Sequence, residues 1–219
     1  MQKQIMIIGL GQFGMSLAKT LTEKDAEVFA IDIDPELVDE AATFAADAIC
    51  LDATDETALT KFHPEERDAV ICAIGEREAS ILCTALLRQM GVKFICSRYL
   101  DDMHERVLKA VGANVVINPE REIGRRFANR ILFHGLLSDD TLDANIQLNE
   151  ICVPDFMVGK NLTQLALPDK YGIIVAAIKH GESTRLNRPM PNQPLAANDK
   201  LLLICTEDNI TRLLKDSEL

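Results

Sequence analysis

Three glycines at fixed spacing, and one acid downstream of them, are the residues in this chain best suited to chemistry. In Ile7-Ile8-Gly9-Leu10-Gly11-Gln12-Phe13-Gly14 they stand at positions 9, 11 and 14. Gly9 permits a tight turn, Gly11 lets a pyrophosphate approach the backbone, and Gly14 lets a following helix pack close to the preceding strand. A helix that begins at Gln12 aims its unpaired N–H groups at the phosphates. Asp32 closes the next apolar run, Val28-Phe29-Ala30-Ile31-Asp32. That is close to the ~20-residue spacing at which a carboxylate accepts hydrogen bonds from ribose hydroxyls. The same carboxylate would repel a ribose 2′-phosphate, so NADP is the dinucleotide least suited. Other readings stay open: Asp32 as a solvated acid before the Asp34-Pro35 helix start, and the glycines as packing devices alone.

Placing these residues requires strand, turn, helix and strand in that order, and the pattern continues along the chain. Strands are expected at Gln4–Ile8, Glu27–Asp32, Ala48–Leu51, Ala69–Ala73, Lys93–Ser97 and Asn114–Ile117. Helices are expected between them at about Gln12–Lys24, Pro35–Phe44, Asp55–Phe62, Glu76–Met90 and Asp101–Val111. Asp34-Pro35 is a cap followed by a first-turn proline, and Gly91 and Gly112 release their helices. Apolar runs such as Val70-Ile71-Cys72-Ala73-Ile74 indicate strands covered on both faces. This alternation predicts an α/β, Rossmann-like doubly wound parallel sheet over residues 1–118.

Asn118-Pro119 starts a long apolar helix, expected from Pro119 to Leu137, with Ile123, Phe127 and Ile131 on one stripe widened by Leu132, Phe133, Leu136 and Leu137. We read it as a crossover and dimerisation helix over 119–137, its stripe buried against a second subunit. Residues 138–219 then read as a small α+β domain. Strand-like alternation runs over Ala144–Val153, a short helix over Thr163–Leu167, apolar runs over Ile173–Ile178 and Lys200–Cys205, and a last helix over Glu207–Lys215.

Composition bounds the function. A net charge of −11 with no basic stripe argues against nucleic acid and anionic membrane surfaces. No apolar window approaches the ~20 residues of a membrane span, and the start of the chain lacks a signal-peptide pattern. The 6 cysteines form no CxxC and no zinc spacing. Cys50, Cys72, Cys96 and Cys205 fall in strand-like runs and read as buried small hydrophobes in a reducing compartment. His63, His104, His134 and His180 show no metal spacing and read as solvated; Glu65-Glu66-Arg67-Asp68 reads as a solvated turn. The expected location is cytoplasmic.

Several short segments in order then resemble the regulator-of-K⁺-conductance family, the TrkA/KtrA-type cytosolic subunits of bacterial potassium uptake systems. They are Ile7 through Gly14 with Phe13 inside the glycine triplet, Val28 through Asp32, Leu51-Asp52-Ala53-Thr54, Ala73-Ile74-Gly75, Gly112-Ala113-Asn114, and Asn118-Pro119-Glu120-Arg121-Glu122-Ile123-Gly124. The resemblance covers nearly the whole chain. It implies a non-enzymatic regulatory subunit that binds an adenine nucleotide (NAD, NADH, ADP or ATP) and gates a TrkH/KtrB-like membrane K⁺-translocating subunit. Gating would follow from ligand-dependent change in a homo-oligomer, a dimer assembled into a ring, commonly octameric.

The resemblance places the nucleotide against Gly9, Gly11, Gln12, Phe13 and Gly14, against Asp32 and Ile33, against Asp52, Ala53 and Thr54 beside the base, and against Ala73, Ile74 and Gly75. Arg98 stands where the family often has a basic residue near the phosphates. It reads equally as a solvated arginine paired with Asp101 or Asp102. Glu120 matches an acid that in some members helps bind a divalent cation, and reads also as a first-turn acid complementing the helix dipole. Gln12 departs from the family's arginine and supplies no charge to a γ-phosphate, which weakens any preference for ATP. The competing readings are an NAD-dependent oxidoreductase and a free-standing nucleotide sensor.

Overall fold

The computed structural model describes residues 2–132, 136–143 and 146–216, which form two compact units, Met1–Glu120 and Arg121–Leu219. In the first unit, β1 (Gln4–Ile8), β2 (Glu27–Asp32), β3 (Asp47–Cys50), β4 (Ala69–Cys72), β5 (Ile95–Arg98) and β6 (Val115–Ile117) pair in parallel in the order β3-β2-β1-β4-β5-β6. Parallel pairing demands crossovers that cover both faces. They are α1 (Gln12–Glu23), α2 (Pro35–Ala41), α3 (Glu56–Thr60), α4 (Arg77–Gln89) and α5 (Asp102–Val111). Met6 and Ile8 of β1 belong to one buried cluster with Ile31, Val70, Cys83 and Leu87. Ile7 belongs to the other, with Met15, Ala18, Val28 and Ala30. One strand thus feeds two cores by simple alternation. This is the doubly wound parallel sheet expected from the sequence.

The helix starts are chemically specified. Asp34, Asp55, Glu76 and Asp101 each accept backbone N–H groups at the heads of α2, α3, α4 and α5. Gly112 closes α5 in the left-handed region at φ 116°. The helix α2 stops at Ala41, short of the expected Phe44, because Ala42–Phe44 tighten into turns.

The helix α6 (Pro119–Leu132) starts at the end of the first unit and continues into the second, where it is followed by β7 (Leu136–Asp143), β8 (Ile146–Cys152), α7 (Leu162–Leu165), α8 (Leu167–Tyr171), β9 (Ile174–Lys179), β10 (Lys200–Cys205) and α9 (Glu207–Lys215). Its antiparallel sheet has the order β7-β8-β10-β9. The expected helix to Leu137 is corrected here: α6 ends at Leu132, and Leu136 begins a strand paired with β8. An apolar run of that length fits either period, and pairing with β8 overrides local preference even through Ser138-Asp139-Asp140. Phe133 and His134, and Ala144 of the expected Ala144–Val153 strand, lie outside the described residues. The single short helix expected over Thr163–Leu167 is two, broken at Ala166, whose φ is 46°. Ile151, Leu201, Leu203, Ile210 and Leu213 make the core of this unit.

Candidate functional site

Strand order reverses between β1 and β4, and at such a point the loops beyond the two strand ends diverge to leave a crevice. A cleft of about 460 Å³ opens there. Ile8, Gly9 and Gly11 come to it from β1 and its turn, Asp32 and Ile33 from the end of β2, and Leu51, Asp52, Ala53 and Thr54 from the loop after β3. Ala73, Ile74, Gly75, Glu76 and Ala79 come from the β4 turn and the head of α4, and Arg98 from the end of β5.

The three glycines of the turn divide by what a side chain would meet. At Gly9, with φ +98°, a Cβ would lie 2.8 Å from the Ala73 carbonyl carbon and the Ile74 nitrogen. At Gly14 it would lie 1.9 Å from the Gly9 oxygen. Both positions are therefore fixed by the protein's own backbone. A Cβ on Gly11 would meet nothing within 4 Å, although Gly11 lines the cleft. Its missing side chain leaves room for something outside the chain.

The head of α1 points the same way. Its first main-chain bond runs from Met15 N–H to the Gly11 carbonyl at 2.9 Å, which leaves the N–H groups of Gln12, Phe13 and Gly14 without intrahelical acceptors. Gly11 is the N-cap residue and offers no capping side chain, unlike the acids that head α2 to α5. Gln12, Phe13 and Gly14 therefore relate to the cleft through their backbone: the Gln12 side chain lies in a separate groove with Met15 and Lys19, Phe13 packs on the core, and Gly14 is buried.

Asp32 is already engaged. Oδ2 accepts the Leu10 N–H at 2.5 Å and Oδ1 accepts the Asp34 N–H at 2.9 Å. A carboxylate has about four lone-pair positions, so each oxygen keeps acceptor capacity for a ribose hydroxyl. Asp52 accepts from the Thr54 hydroxyl at 2.7 Å and the Thr54 N–H at 2.9 Å, and these bonds hold its carboxyl below the usual carboxylate range. Glu76 caps α4 by accepting from Glu78 and Ala79 N–H at 3.1 and 2.6 Å.

Arg98 and Glu120, both open to two readings from sequence, meet each other. Arg98 Nη2 donates to Glu120 Oε1 at 2.5 Å, while Arg98 Nε is buried with no hydrogen-bond partner. Asp101, one of the alternative partners considered for Arg98, is bound instead by Arg77, which holds its carboxyl far below the ordinary range.

Other sequence readings are corrected. His104 is not solvated but 1% exposed. Its Nδ1 accepts the Leu100 N–H at 3.2 Å, so the neutral ring carries its proton on Nε2, 2.9 Å from the Ser80 hydroxyl. Burial holds its pKa below the ordinary histidine value. Arg67 lies 3.8 Å over the Phe29 ring rather than in solvent, which a turn-composition argument does not detect. His63 approaches Glu65 and Glu66, their ligand atoms within 4.8 Å of one another, outside the cleft lining; His63 and Glu66 are exposed and Glu65 is half-buried. Cys50 is exposed rather than buried, because β3 is an edge strand, and its Sγ lies 3.5 Å from the Ile33 carbonyl.

Four lining residues, Ile8, Leu51, Glu76 and Ala79, were not among the sequence candidates. Leu51 sat inside a motif already noted, and Glu76 was visible as an acid at a helix start. Ile8 stands in the glycine-turn motif itself, and nothing local marks Ala79.

Known proteins match this chain over both units. Residues 5–119 match the TrkA-N domain family and residues 154–216 the TrkA-C domain family. The Ktr system potassium uptake protein C of Bacillus subtilis (strain 168) is 37% identical over 216 residues, covering 98% of this chain and 97% of that protein. The Ktr system potassium uptake protein A of Vibrio alginolyticus is 33% identical and covers 97% of each. Among solved structures, the GsuK channel bound to NAD superposes with a TM-score of 0.67 at 18% identity, over 97% of this chain. This chain spans about two-fifths of that channel's length, 39%. The fold is shared at that identity. No helix among the described residues is long and apolar enough to cross a membrane.

Proposed function

This chain belongs to the family of TrkA-N and TrkA-C domain proteins, and from that premise we propose that it is a nucleotide-binding regulatory subunit of a membrane potassium channel or transporter. The observation that carries the nucleotide half of the reading is Gly11, a cleft residue whose missing Cβ faces open space beside an uncapped helix head. There a diphosphate receives the free N–H groups of Gln12, Phe13 and Gly14, and Asp32 receives the ribose. Asp52 and Thr54 stand toward the base. The ligand is an adenine nucleotide. Arg98 is the one Lys or Arg among the described lining residues, set against Asp32, Asp52 and Glu76. That balance favours a bridging diphosphate over a free triphosphate.

We read the role as regulatory, because the relatives that match nearly the whole chain are named as potassium uptake proteins. Nucleotide binding acts by favouring one arrangement of an oligomer over another, since a ligand shifts an equilibrium only by its differential affinity. Self-association uses the Ile123, Phe127 and Ile131 stripe of α6, exposed by 66, 61 and 64% in the single chain. The assembly, a ring built from dimers, sits on the cytoplasmic face of its membrane partner. Glu120, at the start of α6, is the candidate for any divalent cation.

The test is a binding panel of ATP, ADP, NAD and NADH, with and without divalent cation, read by thermal shift and calorimetry. Stabilisation by at least one supports the reading, and silence from all four removes it. Steady turnover of NADH with ketoacids or quinones would favour the oxidoreductase instead.

A further inference from the structure

Glu120 occupies the first turn of α6, yet its carboxylate is bound to a side chain of the cleft. Oε1 accepts from Arg98 Nη2 at 2.5 Å. The Arg98 fork is only partly used. Its Nε is buried and unpartnered. Its Nη1 lies 3.6 Å from the position a Cβ on Gly75 would take, beside the β4 turn. A guanidinium holds an anion best when two N–H groups grip two oxygens at once. An orphaned buried donor is a cost that such a grip would remove. The two partners are also unequal. Arg98 is 21% exposed and Glu120 61%, so the glutamate is largely hydrated and held weakly.

We propose that Glu120 is a tethered competitor for the anionic ligand of this cleft: it holds Arg98 at one point until a phosphate group takes the guanidinium over. The proposal rests on the reading that a phosphate-bearing nucleotide enters the cleft. Its consequence is that the charge of the ligand, beyond its presence, is registered at Glu120. That residue heads the helix whose chain continues into the second unit.

The experiment is calorimetric titration of ADP and of adenosine in EDTA, using the full chain and the variants Glu120→Gln, Arg98→Gln and the double variant, with melting curves to confirm folding. Glu120→Gln is expected to tighten ADP binding about two- to fivefold, the range of an exposed ion pair, and to leave adenosine unchanged. Arg98→Gln is expected to weaken ADP about tenfold or more, and adding Glu120→Gln to it should change nothing further. Should Arg98→Gln melt too low to titrate, Arg98→Lys replaces it, and the gain from Glu120→Gln should shrink because an ammonium offers no fork. Competition is disproved if Glu120→Gln leaves ADP affinity unchanged or weaker, or tightens it equally in both backgrounds, as plain through-space repulsion would. If the unaltered chain binds neither ADP nor NAD, the nucleotide reading itself fails, and that result is separate from the variant outcomes.

Discussion

The Asp32 carboxylate accepts the backbone N–H of Leu10 at 2.5 Å, so the acid that ends β2 is tied to the glycine turn before any ligand arrives. In the proposed function Asp32 also holds a ribose, so its removal has two readouts. Asp32→Ala leaves the N–H of the fully buried Leu10 unpaired. It should lower stability by about 1–3 kcal/mol in urea denaturation and weaken nucleotide binding by at least about tenfold. Asp32→Asn keeps an acceptor for Leu10 and should recover most of the stability but little of the affinity.

The glycines of the turn should separate cleanly. Gly14→Ala forces a Cβ onto the Gly9 oxygen and is expected to cost about 3 kcal/mol or more. A Cβ added at Gly11 meets no atom within 4 Å, so Gly11→Val should cost only about 1 kcal/mol, the loss of a favourable N-cap residue. Nucleotide binding, measured by calorimetry, should nonetheless disappear in Gly11→Val. Retained affinity in that variant would show that no ligand approaches the turn.

The stripe on α6 predicts the oligomeric state. Phe127→Glu places a charge in the middle of the apolar stripe between Ile123 and Ile131, where a subunit interface would have to desolvate it. The unaltered chain should sediment as a dimer or larger at micromolar concentration, and the variant as a smaller species. A monomer in the unaltered chain overturns the assignment.

Stability should fall on mild acidification because of His104. Its folded pKa lies below the unfolded value of about 6.5, so the unfolded chain binds the proton first. The stabilising neutral ring is fully present above that value and is lost as pH falls through the depressed folded pKa. Arg77 opposes the charged ring, while Asp101 and Glu76 partly favour it. The slope should not exceed about 1.4 kcal/mol per pH unit. Urea midpoints between pH 5 and 8 should show it, and His104→Gln should flatten it. The depressed carboxyls of Asp52 and Asp101 act lower, below about pH 4.

Residues that speak locally were legible in the sequence. The ranges Gln4–Ile8, Glu27–Asp32, Lys200–Cys205 and Glu207–Lys215 are as expected, because strand runs and caps are written in neighbouring residues. Of the segments that line the cleft, those after β1 and β2 were readable for the same reason, and those after β3 and β4 through the family resemblance. What escaped depends on partners far along the chain. The pairing of Leu136–Asp143 with β8 overrode a helical pattern. Phe29 captured Arg67 from 38 positions away, and Ser80 captured His104 from 24. Arg98 and Glu120, 22 residues apart, each had a sensible local explanation, and neither explanation included the other.

The exposed thiol of Cys50 has a practical corollary. It touches the carbonyl of Ile33, whose side chain borders the crevice. The molecule therefore carries a built-in reporter: a maleimide dye coupled to that sulfur sits at the rim, where occupancy can be followed by fluorescence without engineering a new attachment point.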